Sequence, residues 1–176
     1  MKNKIKKITA SFLTILITFF TSTASNVVSA KMVHLTVQTT QEEVQVQNLN
    51  SDICKQINKY RKSKNAKSLK IKSNLTAMAK VRAKEIAKSF AHERPNGKSL
   101  LDLAYQKKAG DYFMFGENLA RIKGYSGLKN ISKSVVDAWD KSKGHRKIMQ
   151  GKKYKYTGCA FYIKKETIYI VTIYAY

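Results

Sequence analysis

The segment TIYIVTIY, from Thr167 to Tyr174, determines the fold class that we predict for this chain of 176 residues. Apolar residues occupy both its even and its odd positions, namely Ile168 and Ile170 against Tyr169, Val171 and Ile173. Because successive side chains of a strand point to opposite faces, neither face of this strand can be left to water. A sheet that is buried on both faces needs helices on each side, so the pattern predicts a three-layer α/β/α sandwich.

A second β-rich run, residues 157–163, precedes this strand and is separated from it by Lys164-Lys165-Glu166. Two such runs around a short polar connection are typical of an antiparallel hairpin. We therefore predict that the chain contributes a hairpin to the middle layer.

Helical periodicity upstream of the hairpin can supply the two outer layers. A first amphipathic helix starts at about Asn50, with Ser51 and Asp52 as candidate N-cap residues and Ile53, Ile57 and Tyr60 on its apolar side. Three more helices are predicted over residues 73–91, 99–106 and 130–143, with Gly144 expected to end the last one as its C′ residue.

The N-terminal 30 residues have the pattern of a cleavable secretory signal peptide. Lys2, Lys4, Lys6 and Lys7 precede an uncharged apolar stretch over residues 8–20, and the segment ends in Val28-Ser29-Ala30. The apolar stretch is shorter than the roughly 20 residues that a transmembrane helix requires. We therefore expect export of the chain to the extracellular space, with residues 31–49 as a linker or arm and no membrane-spanning segment once the signal peptide is removed.

The chain is strongly basic, with 34 Lys and Arg against 11 Asp and Glu and a formal net charge of +23. Such a surface attracts polyanions such as anionic polymers of the cell envelope, although solubility alone also explains it. Cys54 and Cys159 are the two cysteines. In an oxidising compartment they can form a disulfide or stay as two buried thiols.

Three residues outside these patterns are candidates for metal binding or catalysis. His92 and His145 lie near helix ends, and Glu117 follows a glycine at the start of an apolar, strand-like stretch. A zincin motif HExxH is excluded because position 96 is Asn, and neither a GxSxG element nor a cysteine placed for nucleophilic attack is present. A hydrolase would therefore depend entirely on the histidines and the glutamate.

The sequences around these residues resemble the signatures of the CAP superfamily, also called SCP-like, in its secreted bacterial branch. The matching segments are FAH at 90–92, GENLA at 116–120, WDKSKGHR at 139–146 and YTGCA at 156–160. GENLA and WxxSxGHR together are specific, whereas either alone would be weak. The resemblance covers the chain from about residue 50 to residue 176.

This resemblance implies an α+β fold, a three-layer α/β/α sandwich with a three-stranded antiparallel sheet between helices. It also implies one cleft that holds His92, Glu117 and His145. In the family the two histidines can hold a divalent cation, often zinc, and Glu117 is a candidate third ligand. Without metal, the same three residues are candidates for general base catalysis with an orienting acid.

The chain departs from the family pattern at one cleft position. Many animal members carry a glutamate three residues after the tryptophan, where this chain has Ser142. Asp140, one residue after Trp139, points to another side of the helix and does not replace it. We expect the cleft to lack one carboxylate.

A basic run beside the third signature is a candidate anion-binding rim. It includes Lys143, Arg146 and Lys147, and no acidic residue occurs between positions 141 and 156. A solvated face explains the same run, and no nucleic-acid fold signature accompanies it, so we do not expect a nucleic-acid partner.

Three functions follow as hypotheses. In the first, the cleft binds an unidentified ligand or a divalent metal, and the protein acts by binding outside the cell or at its surface. The second is a metal-dependent extracellular hydrolase of protein, nucleic acid or wall material. The third is a basic module that associates with the envelope through charge alone.

Overall fold

The computed structural model describes residues 48–112, 115–125 and 130–176. The predicted signal peptide and the predicted arm as far as residue 47 lie outside the described residues. Within them, no helix is both long and apolar enough to cross a bilayer.

The described part of the chain contains one mixed sheet of four strands, β1 (Lys70–Ile71), β2 (Phe115–Lys123), β3 (Tyr156–Lys164) and β4 (Thr167–Ala175). Their order is β1-β3-β4-β2. Strands β3 and β4 form the predicted antiparallel hairpin, and β2 pairs antiparallel with the other side of β4. The β-rich segment at the C-terminal end therefore supplies the centre of the sheet.

The predicted three-stranded sheet is extended by one short strand. Strand β1 pairs parallel with β3, with Lys70 opposite Tyr156 and Ile71 opposite Thr157. Both of its residues are exposed. Two exposed residues give no alternation of apolar and polar side chains, so the sequence pattern could not reveal this strand.

Among the described residues, five helices cover the sheet: α1 (Leu49–Ser63), α2 (Ser73–Ile86), α3 (Leu100–Gln106), α4 (Ile131–Lys141) and α5 (Lys143–Gln150). Alternate residues of β4 enter two separate cores. Ile168 and Ile170 pack with residues of α1, α4 and α5, whereas Val171 and Ile173 pack with α2 and α3. The α+β class and the α/β/α layering predicted from the two apolar faces of this strand are confirmed.

Several predicted helix boundaries are wrong. Helix α1 begins at Leu49, which is buried, and its N-cap is Asn48 rather than Ser51 or Asp52. Helix α2 ends at Ile86 and does not continue to residue 91. The buried Arg82 of this helix donates to the backbone carbonyls of Ala91 and His92, which lie in the turn that follows α2.

The prediction that Gly144 ends a helix is also wrong. Helix α4 ends at Lys141, and the extended backbone of Ser142, with φ −93° and ψ 122°, separates it from α5. Gly144 lies inside α5. The helix predicted over residues 130–143 thus ends two residues early, and α5 was not predicted. The bend between the two helices turns the GHR segment toward β2.

Two close contacts fix the helices to the sheet. A disulfide joins Cys54 of α1 to Cys159 of β3, with their Cα atoms 6.4 Å apart. On the other face, α2 lies directly against Gly158, and a side chain at that position would collide with the backbone of Leu75 and Thr76. Of the two alternatives that the sequence left open for the cysteines, the disulfide is the one present.

Candidate functional site

Glu117 and His92 meet beside the edge strand β2. Glu117 lies in this strand opposite Ile173, and its side chain is only 8% exposed. His92 lies in the turn that follows α2, with a side chain 57% exposed. The Nδ1 atom of His92 is 2.9 Å from Oε2 of Glu117. Because a carboxylate only accepts hydrogen bonds, Nδ1 is the donor, and in the neutral form of the imidazole the other ring nitrogen, Nε2, is the acceptor.

Arg82 holds this pair in place from inside the protein. Its side chain is 1% exposed, and its Nε donates to Oε1 of Glu117 at 2.7 Å. Nη2 donates to Oε2 of Glu117 at 3.2 Å and to the backbone carbonyls of Ala91 and His92 at 2.9 and 3.0 Å. Burial lowers the pKa of Arg82, but the bonds from Glu117 and Glu85 outweigh burial and raise it overall. A permanently charged guanidinium thus positions both site residues.

The charged network continues away from the cleft through Glu85. Its Oε2 accepts from Nη1 of Arg82 at 2.8 Å, and its Oε1 accepts from Nη2 of Arg94 at 2.8 Å. Burial raises the pKa of Glu85, but the hydrogen bonds from Arg94 and Arg82 prevail and hold it below its usual value. Hydrogen bonds therefore link five side chains in succession, namely His92, Glu117, Arg82, Glu85 and Arg94.

His145 lies in the first turn of α5 and faces the same cleft. Its backbone carbonyl accepts from the side-chain amide of Asn118, the residue after Glu117, at 3.2 Å. Its ring centroid is 6.3 Å from that of the buried Trp139. Burial lowers the pKa of His145, and the neighbouring His92 lowers it further. At neutral pH this imidazole is uncharged, which is the form that binds a metal or accepts a proton.

An open cleft of about 400 Å³ contains all three predicted residues. Its lining comprises His92, Glu117, Asn118, Ser142, Gly144, His145, Lys147 and Ile148. Ser142 thus occupies the cleft wall at the position where many animal members of the family carry a glutamate. The structure brings together the three residues that the sequence analysis singled out.

The predicted basic rim is divided. Lys147 lines the cleft, whereas Lys143 is exposed and does not line it. Arg146 donates from Nη1 to the backbone carbonyl of Asp140 at 2.6 Å and so stabilises the bend between α4 and α5. Anion binding by these residues stays a prediction.

The described residues fit a divalent cation only in part. Among them, no group of three His, Cys, Asp or Glu side chains is arranged as a ligand set. Glu117 is already engaged by Arg82 and His92. The Nε2 atom of His92 and the imidazole ring of His145 remain available as metal ligands. A carboxylate that hydrogen-bonds the other ring nitrogen of a ligating histidine is a common arrangement in metal sites. The chemistry fits two histidine ligands with Glu117 as an orienting group.

Arg82 and Glu85 were missed by the sequence analysis although the sequence carries a signal for one of them. Arg82 follows Met78 by four residues and Ala79 by three, so it lies on the apolar stripe of its helix. A charged residue at a buried helical position requires a buried partner. The position of Arg82 on the apolar stripe therefore predicts an internal ion pair, and only the fold identifies Glu117 as the partner.

The profile of the cysteine-rich secretory protein family, CAP, matches residues 55–176 of the chain. No curated protein matches its sequence significantly. Solved structures share its fold. One is an extracellular protein with an SCP domain from Bacillus anthracis, with 20% identity and a TM-score of 0.61, and the match covers 74% of this chain and 41% of that protein. An outer surface protein of Borrelia burgdorferi, at 18% identity and a TM-score of 0.59, covers 69% of this chain and 87% of its own.

A cysteine-rich secretory protein of Staphylococcus aureus is similar to the same degree, at 20% identity with a TM-score of 0.57. It covers 74% of this chain and 38% of its own length. The chain therefore spans less than half of the Bacillus and Staphylococcus proteins. These likenesses concern the fold of the domain.

Proposed function

The chain belongs to the CAP family of cysteine-rich secretory proteins, and from this membership we propose that it acts by binding, outside the cell or at its surface, through the cleft of His92, Glu117 and His145. Family members and structural neighbours described as extracellular or as outer surface proteins support this location. The predicted signal peptide supports it independently.

One observation carries the proposal of a binding site: an exposed imidazole stands on a rigid, buried base. The ring of His92 is accessible, whereas Arg82 and Glu117 beneath it are buried and joined by two hydrogen bonds. Groups that are held in one geometry before a ligand arrives lose little entropy when it binds. The imidazole of His92, fixed in an open cleft, is therefore well suited to bind a ligand of defined geometry.

We propose a divalent cation, zinc among them, as one ligand of this cleft. His92 through Nε2 and His145 through its neutral ring would hold the ion, and Glu117 would fix the orientation of His92. The ion would contribute a Lewis-acid centre for a carbonyl or an anionic group. Lys147 at the cleft wall would add a positive charge beside that position.

A zinc titration followed by calorimetry and by metal content after desalting tests this role. We expect about one equivalent of zinc in the native protein and none above background in a His92→Ala/His145→Ala variant. Glu117→Gln should bind on the order of 10- to 100-fold more weakly, as expected for loss of an orienting carboxylate. His34→Ala, at the third histidine of the sequence, is the matched control and should bind like the native protein.

Equal zinc binding by the native protein and the double variant would overturn the metal role. A panel of protein, nucleic-acid and wall substrates, assayed with the zinc-loaded protein, separates binding from hydrolysis. Turnover that disappears in His92→Ala but survives in His34→Ala would replace the binding function with a metal-dependent hydrolase in which His92 is a zinc ligand.

A further inference from the structure

A second cavity of about 510 Å³ lies apart from the His–Glu cleft and shares no lining residue with it. Two segments form it, the loop 65–70 before and within β1 and the segment 152–156 that leads into β3. Four of its lining residues are lysines and two are tyrosines, namely Lys67, Lys70, Lys152, Lys155, Tyr154 and Tyr156. We call it the basic pocket.

No acidic side chain offsets these lysines in the segments that build the pocket. Every charged residue from position 53 to position 84 is basic, and the same holds from position 141 to position 165. The four lysines are exposed at the pocket rim, and none forms a salt bridge within the described residues. The pocket therefore concentrates positive charge that has no internal partner.

A buried guanidinium beneath the pocket adds to this charge. Arg61 is 0% exposed, and within the described residues it pairs with no carboxylate. Its Nη2 atom is buried without a hydrogen-bond partner among them. Burial lowers the pKa of Arg61, yet a guanidinium stays protonated in proteins. Its hydrogen bonds go only to carbonyl oxygens, which leave its charge uncompensated.

The same arginine ties the two pocket segments together. Nε of Arg61 donates to the carbonyl of Lys67 at 2.8 Å, and Nη1 donates to those of Met149 and Gly151 at 2.5 and 3.2 Å. The backbone NH of Lys70 donates to the carbonyl of Lys155 at 2.9 Å. The backbones that carry the four lysines are thus fixed with respect to each other.

Asn58 fixes the first of these segments a second time. Its side-chain oxygen accepts from the backbone NH of Leu69 at 2.8 Å, and its amide donates to the Leu69 carbonyl at 3.0 Å. Because hydrogen bonds to its backbone hold this loop in place, the loop can present its lysines without reorganising when a ligand binds.

We infer that the basic pocket binds a phosphodiester-linked anionic polymer of the cell envelope. Lysine side chains bind phosphates as point charges on flexible stems. The cavity is larger than one phosphate, and its four lysines can neutralise several phosphates of one chain. Without the predicted signal peptide and its four lysines, 30 basic residues stand against 11 acidic ones, and this net charge of +19 assists capture of such a polyanion.

The aromatic residues of the basic pocket disfavour nucleic acid as the polymer. Single-stranded nucleic acids are held by exposed rings on which bases stack. Tyr154 is buried, and the ring of Tyr156 already contacts Tyr112 and the ammonium of Lys72, at centroid distances of 5.2 and 5.0 Å. A polymer without bases needs no such platform.

Binding of poly(glycerol phosphate) at several salt concentrations tests the inference. The variant Lys67→Gln/Lys70→Gln/Lys152→Gln/Lys155→Gln removes the pocket charge. Its matched control, Lys80→Gln/Lys88→Gln/Lys98→Gln/Lys123→Gln, removes the same charge from exposed lysines elsewhere. We expect the pocket variant to bind on the order of 100-fold more weakly at 0.1 M salt, with a salt slope shallower by about 3, and the control to lose less than about 5-fold.

Three outcomes would overturn the inference: no binding by the native protein, equal losses in both quadruple variants, or tighter binding of single-stranded DNA with the same number of phosphates. Circular dichroism checks that the variants fold, which exposed Lys→Gln changes permit. The His92→Ala/His145→Ala variant should keep its affinity for the polymer. Failure of the cleft proposal and failure of this one are therefore distinguishable.

Discussion

At the scale of single residues, one buried arginine connects stability to the cleft. Arg82 satisfies both oxygens of Glu117, one oxygen of Glu85 and the carbonyls of Ala91 and His92. These are the groups that position the exposed imidazole. A change at Arg82 therefore alters the free energy of unfolding and the geometry of the site together.

Replacing Arg82 with Gln should lower the free energy of unfolding by about 3 to 5 kcal/mol, because Glu117 loses its guanidinium partner while it stays buried. Arg82→Lys should recover little, since an ammonium cannot reproduce the forked geometry. Urea unfolding measures both. Lys84→Gln, at an exposed position of the same helix, is the control, and equal stability of Arg82→Gln and Lys84→Gln would contradict the assigned role.

Glu85 should give the protein part of its sensitivity to acid. Its pKa in the folded state is below the usual 4.5. The folded state therefore binds fewer protons than the unfolded state as pH falls below that value. Its contribution is fully present above pH 4.5 and is lost as pH falls through the folded-state pKa.

The variant Glu85→Gln should consequently be less stable at pH 7, by about 3 kcal/mol, and lose less stability between pH 5 and pH 3. Unfolding midpoints across this range give the comparison, with the exposed Glu93→Gln as control. Parallel pH profiles of stability for the native protein and Glu85→Gln would show that the carboxylate of Glu85 does not contribute to the loss of stability in acid.

The sequence was sufficient to name the three residues of the cleft but not their supports. His92, Glu117 and His145 stand in short motifs, whereas Arg82 and Arg94 reach Glu117 and Glu85 through the fold of the polypeptide after α2. Such partners are separated by up to 35 residues in sequence. Local patterns indicate that a buried charge needs a partner but do not identify it.

At the scale of elements, the contact of α2 with β3 depends on the absence of a side chain at Gly158. A Cβ there would collide with helix backbone, which cannot move aside as the end of a flexible side chain can. Periodicity found the helix and the strand but contains no distance between them. It likewise missed the bend at Ser142 and helix α5, because a glycine such as Gly144 is a typical helix stop, yet Gly144 lies inside α5.

Gly158→Ala should lower the free energy of unfolding by more than about 3 kcal/mol, since the helix must separate from the sheet. Gly144→Ala is the matched glycine control, because a Cβ there meets no atom within 4 Å and the residue is helical. It should change stability by less than about 1 kcal/mol, in the stabilising direction. Thermal unfolding compares the two variants. Equal unfolding midpoints for Gly158→Ala and Gly144→Ala would contradict the close contact of α2 with Gly158.

At the scale of the whole molecule, the disulfide links the two ends of the described domain. It joins α1, the first described helix, to the sheet across 105 residues of sequence. Closing so large a loop removes much of the conformational freedom of the unfolded chain.

Reduction of this bond should lower the free energy of unfolding by up to about 4 to 5 kcal/mol. Urea midpoints with and without reductant measure the loss. A Cys54→Ala/Cys159→Ala variant should be as unstable as the reduced protein and insensitive to reductant. If reductant shifted the variant as much as the native protein, the bridge would not be the cause.

The strand order has a consequence for how the chain is made. Strand β4 lies between β3 and β2 in the sheet but follows both in the chain. A polypeptide that emerges from a ribosome or a translocation channel with its N-terminal side first therefore presents β2 without a partner until residues 167–175 have appeared. Sheet closure has to wait for that moment.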